Sequence, residues 1–119
     1  MKRPSMNTNN PYSKKIIKSS RTFFSRWNGG LAEMWELTTS LKTLDILIRR
    51  EDKPGNLLIS CGDPVMIKGP VRWNNCDLRV MTTTLPGSQE IGFLVVDDSA
   101  VLEIICGALS VRENVKLRM

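Results

Sequence analysis

The residues with the clearest chemical potential in this chain are five cations set among aromatics. Lys14, Lys15, Lys18, Arg21 and Arg26 all fall within Ser13–Trp27, SKKIIKSSRTFFSRW. Wound as a helix, Ile16, Ile17, Ser20, Phe23, Phe24 and Trp27 line up on one stripe at i, i+3, i+4, i+7 spacing. The cations project away from that stripe or flank it. A basic amphipathic helix of this kind suits an anionic membrane surface or a partner's groove. Its chemistry is attraction rather than bond-breaking. Each Lys or Arg near an anionic bilayer contributes on the order of 1 kcal/mol. Aromatics insert at the interface, or stack on unpaired bases at roughly 1–3 kcal/mol each. Lys14, Lys15, Lys18, Arg21, Arg26, Phe23, Phe24 and Trp27 are therefore the candidate contacts to a membrane or a nucleic acid. The competing use of the apolar stripe is to cover the protein's own sheet. Ser19, Ser20, Thr22 and Ser25 lie among these charges, where phosphorylation would weaken anion binding.

Other reactive groups are sparse. The chain has no His, which removes His-based acid–base catalysis, His-assisted nucleophiles and mixed Cys/His zinc sites. Cys61, Cys76 and Cys106 are widely spaced with no C-x-x-C pair. Such an odd, scattered set fits small buried hydrophobes in a reducing compartment rather than metal ligands. Asp97-Asp98 is a carboxylate pair between two apolar runs and reads first as a turn. Arg50, Lys68, Arg72 and Arg79, with Arg49 beside Arg50, are spread over several strands and could add a basic stripe on a sheet face. No Gly-rich phosphate loop, nucleophile elbow, helix-turn-helix or zinc-finger spacing is present. The expectation is a non-enzymatic protein with no cofactor, no metal and no small-molecule substrate.

Charge is unevenly divided. Residues 1–27 hold seven Lys/Arg and no Asp/Glu, whereas residues 28–119 hold ten Lys/Arg against twelve Asp/Glu, a net of −2. A slightly acidic body thus carries a strongly basic N-terminal arm, which argues for a polyanionic partner.

The elements that must position these groups are short. Residues 1–12 are polar and read as a flexible tail. Residues 13–28 form the helical arm, with Ser13 as N-cap and Asn28-Gly29-Gly30 as the stop. Leu31, Met34, Trp35, Thr38 and Leu41 fit a second helix over about 31–42. Residues 44–50 alternate as a strand. Strands follow at Leu57–Cys61, Val65–Trp73 (interrupted at Gly69-Pro70), Cys76–Thr84, Ile91–Val96 and Ala100–Ile105, then Leu109–Val111 and Val115–Leu117. Turns fall at 51–56, 62–64, 74–75, 85–88 and 97–99. A helix starting at Ser99 competes for the last apolar run. Trp35 and Trp73 read as core.

The fold class is α+β, mainly β: a small antiparallel sandwich or barrel over residues 29–119 with one or two N-terminal helices. By layout alone it is similar to small viral matrix or accessory proteins that use a basic N-terminal segment on membrane and nucleoprotein. The functional expectation is attachment to a polyanionic surface. The alternatives are a small OB-like module for single-stranded RNA or DNA, and a protein–protein adaptor. Sheet edges such as Leu57–Cys61 offer a route to homo-oligomers. With no signal peptide and no membrane-spanning run, an intracellular location follows, in the cytoplasm, in the nucleus or at the inner face of a membrane.

Overall fold

The computed structural model describes residues 11–40 and 42–115, the side chain of Val115 excepted. One helix, α1 (Pro11–Trp27), precedes seven strands: β1 (Leu31–Thr38), β2 (Thr43–Arg49), β3 (Asn56–Lys68), β4 (Arg72–Trp73), β5 (Arg79–Thr84), β6 (Ile91–Asp97) and β7 (Leu102–Val115). The strands form one antiparallel sheet in the order β4-β1-β2-β3-β7-β6-β5. It is curled into a half-barrel, so the fold is α+β and mainly β, as the turn spacing implies.

A single curled sheet buries its concave face only if something fills it. Here α1 does so, packing against β5 and β7. Ile46, Ile48, Leu57, Ile59, Val95 and Ile104 are all fully buried in the core that Phe24 and Trp27 enter. Alternation along β2, β5 and β6 puts every second side chain on this face. At roughly 1.5–3 kcal/mol for each large apolar side chain removed from water, the helix contributes to folding rather than hanging from it.

Several expected boundaries differ. The helix starts at Pro11, a residue suited to the first helical position, so Ser13 lies inside it and is buried rather than acting as N-cap. Pro11 and Tyr12 thus leave the expected tail; its first ten residues lie outside the described ones. The expected second helix over 31–42 is strand β1. Met34 fits either periodicity, but Ala32 and Met34 share a face only in a strand, and pairing with β2 and β4 decides for strand. Trp35, placed there in the core by the helical reading, sits at an irregularity in β1 and is 47% exposed. Trp73 is buried as expected.

Gly62-Asp63-Pro64 is not a turn. Asp63 takes a left-handed φ of 48°, and the chain continues as one 13-residue strand with a register shift between Pro64 and Met66. The expected strands Ala100–Ile105 and Leu109–Val111 likewise join, from Leu102 onward, in β7, which pairs with β3 over its length; of the expected Val115–Leu117, residues 116 and 117 lie outside the described ones. Leu57–Cys61 therefore lies at the centre of the sheet. The outer strands are β4 and β5. After β6, Asp98–Ala100 forms a single 3-10 turn and β7 follows, which removes the competing helix. Bulges of this kind sharpen local bending and help a long two-stranded ribbon to curl.

Candidate functional site

The site is built around α1, and its position is fixed first at its C-terminal end. The last helical bond runs from the Asn28 N–H to the Phe24 carbonyl, at 2.8 Å. The chain then turns through Gly29, at φ 97°. Asn28 uses its side-chain amide like a strand residue: Oδ1 accepts from the Leu78 N–H at 2.7 Å, and Nδ2 donates to the Leu78 carbonyl at 3.1 Å. Gly29 N–H donates to Cys76 O, and Cys76 N–H donates back to Gly30 O. These bonds tie the end of α1 to the segment that leads into β5. Gly30 is required by proximity, since a Cβ there would lie 2.3 Å from the Arg49 carbonyl oxygen.

Two charged residues complete the clamp. Arg50 Nη1 donates to the Asn28 carbonyl at 2.6 Å, capping the helix terminus, while Nε and Nη2 form a fork on Asp52 at 2.9 and 3.2 Å. The Arg50 hydrogen bond, chiefly, draws the Asp52 carboxyl below its ordinary range. From β7, Glu113 accepts from Trp27 Nε1 at 2.7 Å and from Arg26 Nη2 and Nε at 2.8 and 3.1 Å. The Trp27 bond holds the Glu113 carboxyl below the usual range, with burial opposing and Arg26 assisting. Arg26 also lies over the Phe23 ring, 5.1 Å from its centroid, and Lys53 approaches the Trp27 ring at 5.8 Å.

The other wall is braced by Asp97. This carboxylate is fully buried. Oδ2 accepts from Trp73 Nε1 and the Asp77 N–H, both at 2.8 Å. Oδ1 accepts from Ser99 Oγ at 2.6 Å and the Ser99 N–H at 3.1 Å. Burial pushes its pKa up, but bonds from Ser99, Asp77 and Trp73 outweigh that and hold it below the ordinary value. Asp97 thus belongs to a turn, as its sequence suggests, and also anchors the loop ahead of β5. Its neighbour Asp98 pairs with Arg79 on the surface. Among the described residues no group of three or more Cys, Asp or Glu is placed to hold a metal ion.

With its apolar side occupied, α1 turns its cations outward. Lys14, Lys15, Lys18 and Arg21 are exposed, and none pairs with a carboxylate among the described residues. Lys14, Ile17, Lys18, Arg21 and Thr22 form one wall of an open groove of about 500 Å³, whose other wall is Met81 and Thr82 of β5. On the far side of the Lys18–Thr22 ridge, Lys15, Ser19 and Phe23 line a smaller notch of about 300 Å³.

The structure divides the sequence candidates into three groups. Lys14, Lys15, Lys18 and Arg21 are brought together and left available. Phe24 and Trp27 are core residues, and Phe23 is half-buried beneath Arg26. Arg26 and Arg50 are engaged by Glu113 and Asp52. Of the sheet cations, Arg79 pairs with Asp98, while Lys68 and Arg72 are exposed and lie outside the groove. Ser20 is buried; Ser19, Thr22 and Ser25 are exposed and bond back to carbonyls in the preceding turn. Sequence reasoning missed Met81 and Thr82 as groove residues, and Asn28 and Glu113 as clamps. Asn28 had a local signal as a helix stop, but nothing local marks the other three.

No protein-family model matches the chain, and no curated protein or solved structure matches it. No helix among the described residues is long and apolar enough to cross a membrane.

Proposed function

We propose that this is a non-enzymatic interaction protein that attaches to a polyanionic surface, foremost an anionic membrane, through the outward face of α1. One observation carries this reading: four neighbouring cations are exposed, with no carboxylate partner among the described residues, on a helix whose other side is locked into the core. The attachment is electrostatic. Phe24 and Trp27 are committed to the core and do not insert.

The expected strength follows from the charges. Four cations at about 1 kcal/mol each give about 4 kcal/mol, which corresponds to a dissociation constant in the millimolar range. A single copy therefore binds weakly and salt-sensitively, and effective attachment comes from many copies on one surface, as in a matrix-like layer.

Removing α1 is the wrong test, because it supplies Phe24 and Trp27 to the core. The informative variant reverses Lys14, Lys15, Lys18 and Arg21 to Glu in the full chain. Sedimentation with vesicles of phosphatidylcholine and phosphatidylserine, at low and moderate salt, should show binding that the variant loses while its circular dichroism is unchanged. Wild-type binding that is absent, or that survives the fourfold reversal, refutes the proposal. Tighter binding to single-stranded RNA than to vesicles moves the assignment to the nucleic-acid reading.

A further inference from the structure

The four cations are not equivalent. Lys14, Lys18 and Arg21 line the α1–β5 groove, whereas Lys15 lies on the other side of the ridge. At i, i+4 and i+7, the first three follow one another along about 10 Å of helix. Opposite them stands Thr82, a hydroxyl able both to donate and to accept. Ile17 and Met81 add apolar surface, and Met81 is 39% exposed on the outer strand.

We propose that this groove is a discrete site for a lipid headgroup bearing a phosphate monoester. The inference rests on the electrostatic attachment proposed above and adds selectivity to it. A monoester carries close to two negative charges and three acceptor oxygens. That suits two lysine ammoniums, an arginine fork and a threonine hydroxyl better than the single charge of a diester does. The groove's size fits one headgroup, and its apolar members suit the glycerol end of a lipid.

A nucleic-acid strand is the poorer occupant for three reasons visible in the structure. The groove is one helix face long rather than a continuous track. Of the aromatics on α1, Phe24 and Trp27 are buried and Arg26 lies over Phe23, so Tyr12 is the one exposed ring among the described helix residues, short of the series of platforms a strand stacks on. Of the basic residues that would lengthen a footprint, Arg26, Arg50 and Arg79 are each held by a carboxylate, and Lys68 and Arg72 lie outside the groove.

The test uses the full chain and vesicles of equal surface charge, doped with either phosphatidic acid or phosphatidylserine. Phosphatidic acid vesicles should bind about tenfold more tightly, the size of one added charge-assisted hydrogen bond. Lys14→Ala and Arg21→Ala should erase that preference, and Lys15→Ala should keep it while weakening both kinds of binding alike. Soluble inositol trisphosphate should compete with phosphatidic acid vesicles and broaden the amide resonances of Thr22 and Thr82.

Equal binding to both vesicle types, or equal losses in Lys14→Ala and Lys15→Ala, overturns the groove site and leaves the diffuse electrostatic attachment standing. Loss of neither vesicle type in the fourfold Glu variant overturns the attachment itself. Duplex or single-stranded RNA that binds more tightly than phosphatidic acid vesicles, through the same three cations, overturns the lipid assignment. Competition by inositol trisphosphate without a vesicle preference assigns the groove to free phosphate esters and also overturns it.

Discussion

Asp97→Asn removes one charge and one acceptor while keeping the shape of a side chain that four donors surround. In the folded protein Oδ2 accepts from Trp73 and Asp77, and Oδ1 accepts twice from Ser99. An Asn amide offers one oxygen and one NH2. Turned toward Trp73 and Asp77 the NH2 confronts two fixed donors, so it turns toward Ser99, whose hydroxyl can rotate to accept while the Ser99 N–H loses its acceptor. Hydrogen bonds to a charged group are worth about 1.5–3 kcal/mol. One lost bond, one reversed bond and two weakened ones amount to about 3 kcal/mol, a large share of the 5–15 kcal/mol typical of a domain. At about 4 °C per kcal/mol for a chain of this size, the melting temperature should fall by roughly 12 °C.

The pH dependence has a defined sign. The folded carboxyl titrates below its unfolded value of 3.8. Its stabilising contribution is therefore fully present above that value and is lost as pH falls through the folded pKa. Asp97→Asn should flatten this part of the acid limb. Urea titrations followed by Trp fluorescence, at pH 7 and across the acid range, measure both effects. A variant that melts within about 3 °C of wild type with an unchanged acid limb would refute the idea that Asp97 braces the β5 wall.

Glu113→Ala should cost about 2–3 kcal/mol, because it leaves the Trp27 Nε1–H without its acceptor and breaks a half-exposed pair with Arg26. In a Trp27→Phe background the same substitution should cost under about 1 kcal/mol, and a double-mutant cycle by chemical denaturation measures the difference. Gly30→Ala should destabilise by more than the roughly 1–3 kcal/mol of ordinary overpacking, since the new methyl meets the Arg49 carbonyl rather than a flexible side chain; thermal melting reads this. Burial, foremost, pushes the Cys76 thiol up to about 11. Only about one molecule in a thousand then carries the thiolate at pH 8, so alkylation of Cys76, followed by mass spectrometry, should be slow until the protein is unfolded.

Much of the candidate site was legible in the sequence because a helix is a local structure. The 3.6-residue period of Ile16, Ile17, Ser20, Phe23, Phe24 and Trp27 defined one face, and the same period placed Lys14, Lys18 and Arg21 on the other. What periodicity cannot say is what an apolar face meets. Core and bilayer both accept Phe24 and Trp27; the curled sheet takes them. Arg26 and Arg50 looked as available as Lys14 until Glu113, 87 residues away from Arg26, and the Asn28 carbonyl engaged them.

The strands show the same division. Cys76, Leu78 and Val80 alternate plainly, and all are buried. Segment Leu31–Thr38 is ambiguous by itself, because Leu31, Met34, Trp35 and Thr38 fit a helical stripe while Ala32 and Met34 fit a strand's alternation, and cross-strand pairing resolves it. Gly62-Asp63-Pro64 carries turn chemistry, but β2 and β7 flank β3 and hold the chain extended through a bulge. By itself, the sequence determined the α+β class, the basic helix with its two faces, and most turns, since these depend on neighbours within one or two turns of chain. Only the tertiary structure decided which aromatics were buried, which cations stayed free and where β5 stood to close a groove beside them. Those outcomes depend on contacts between residues far apart in sequence, where local propensity carries no information.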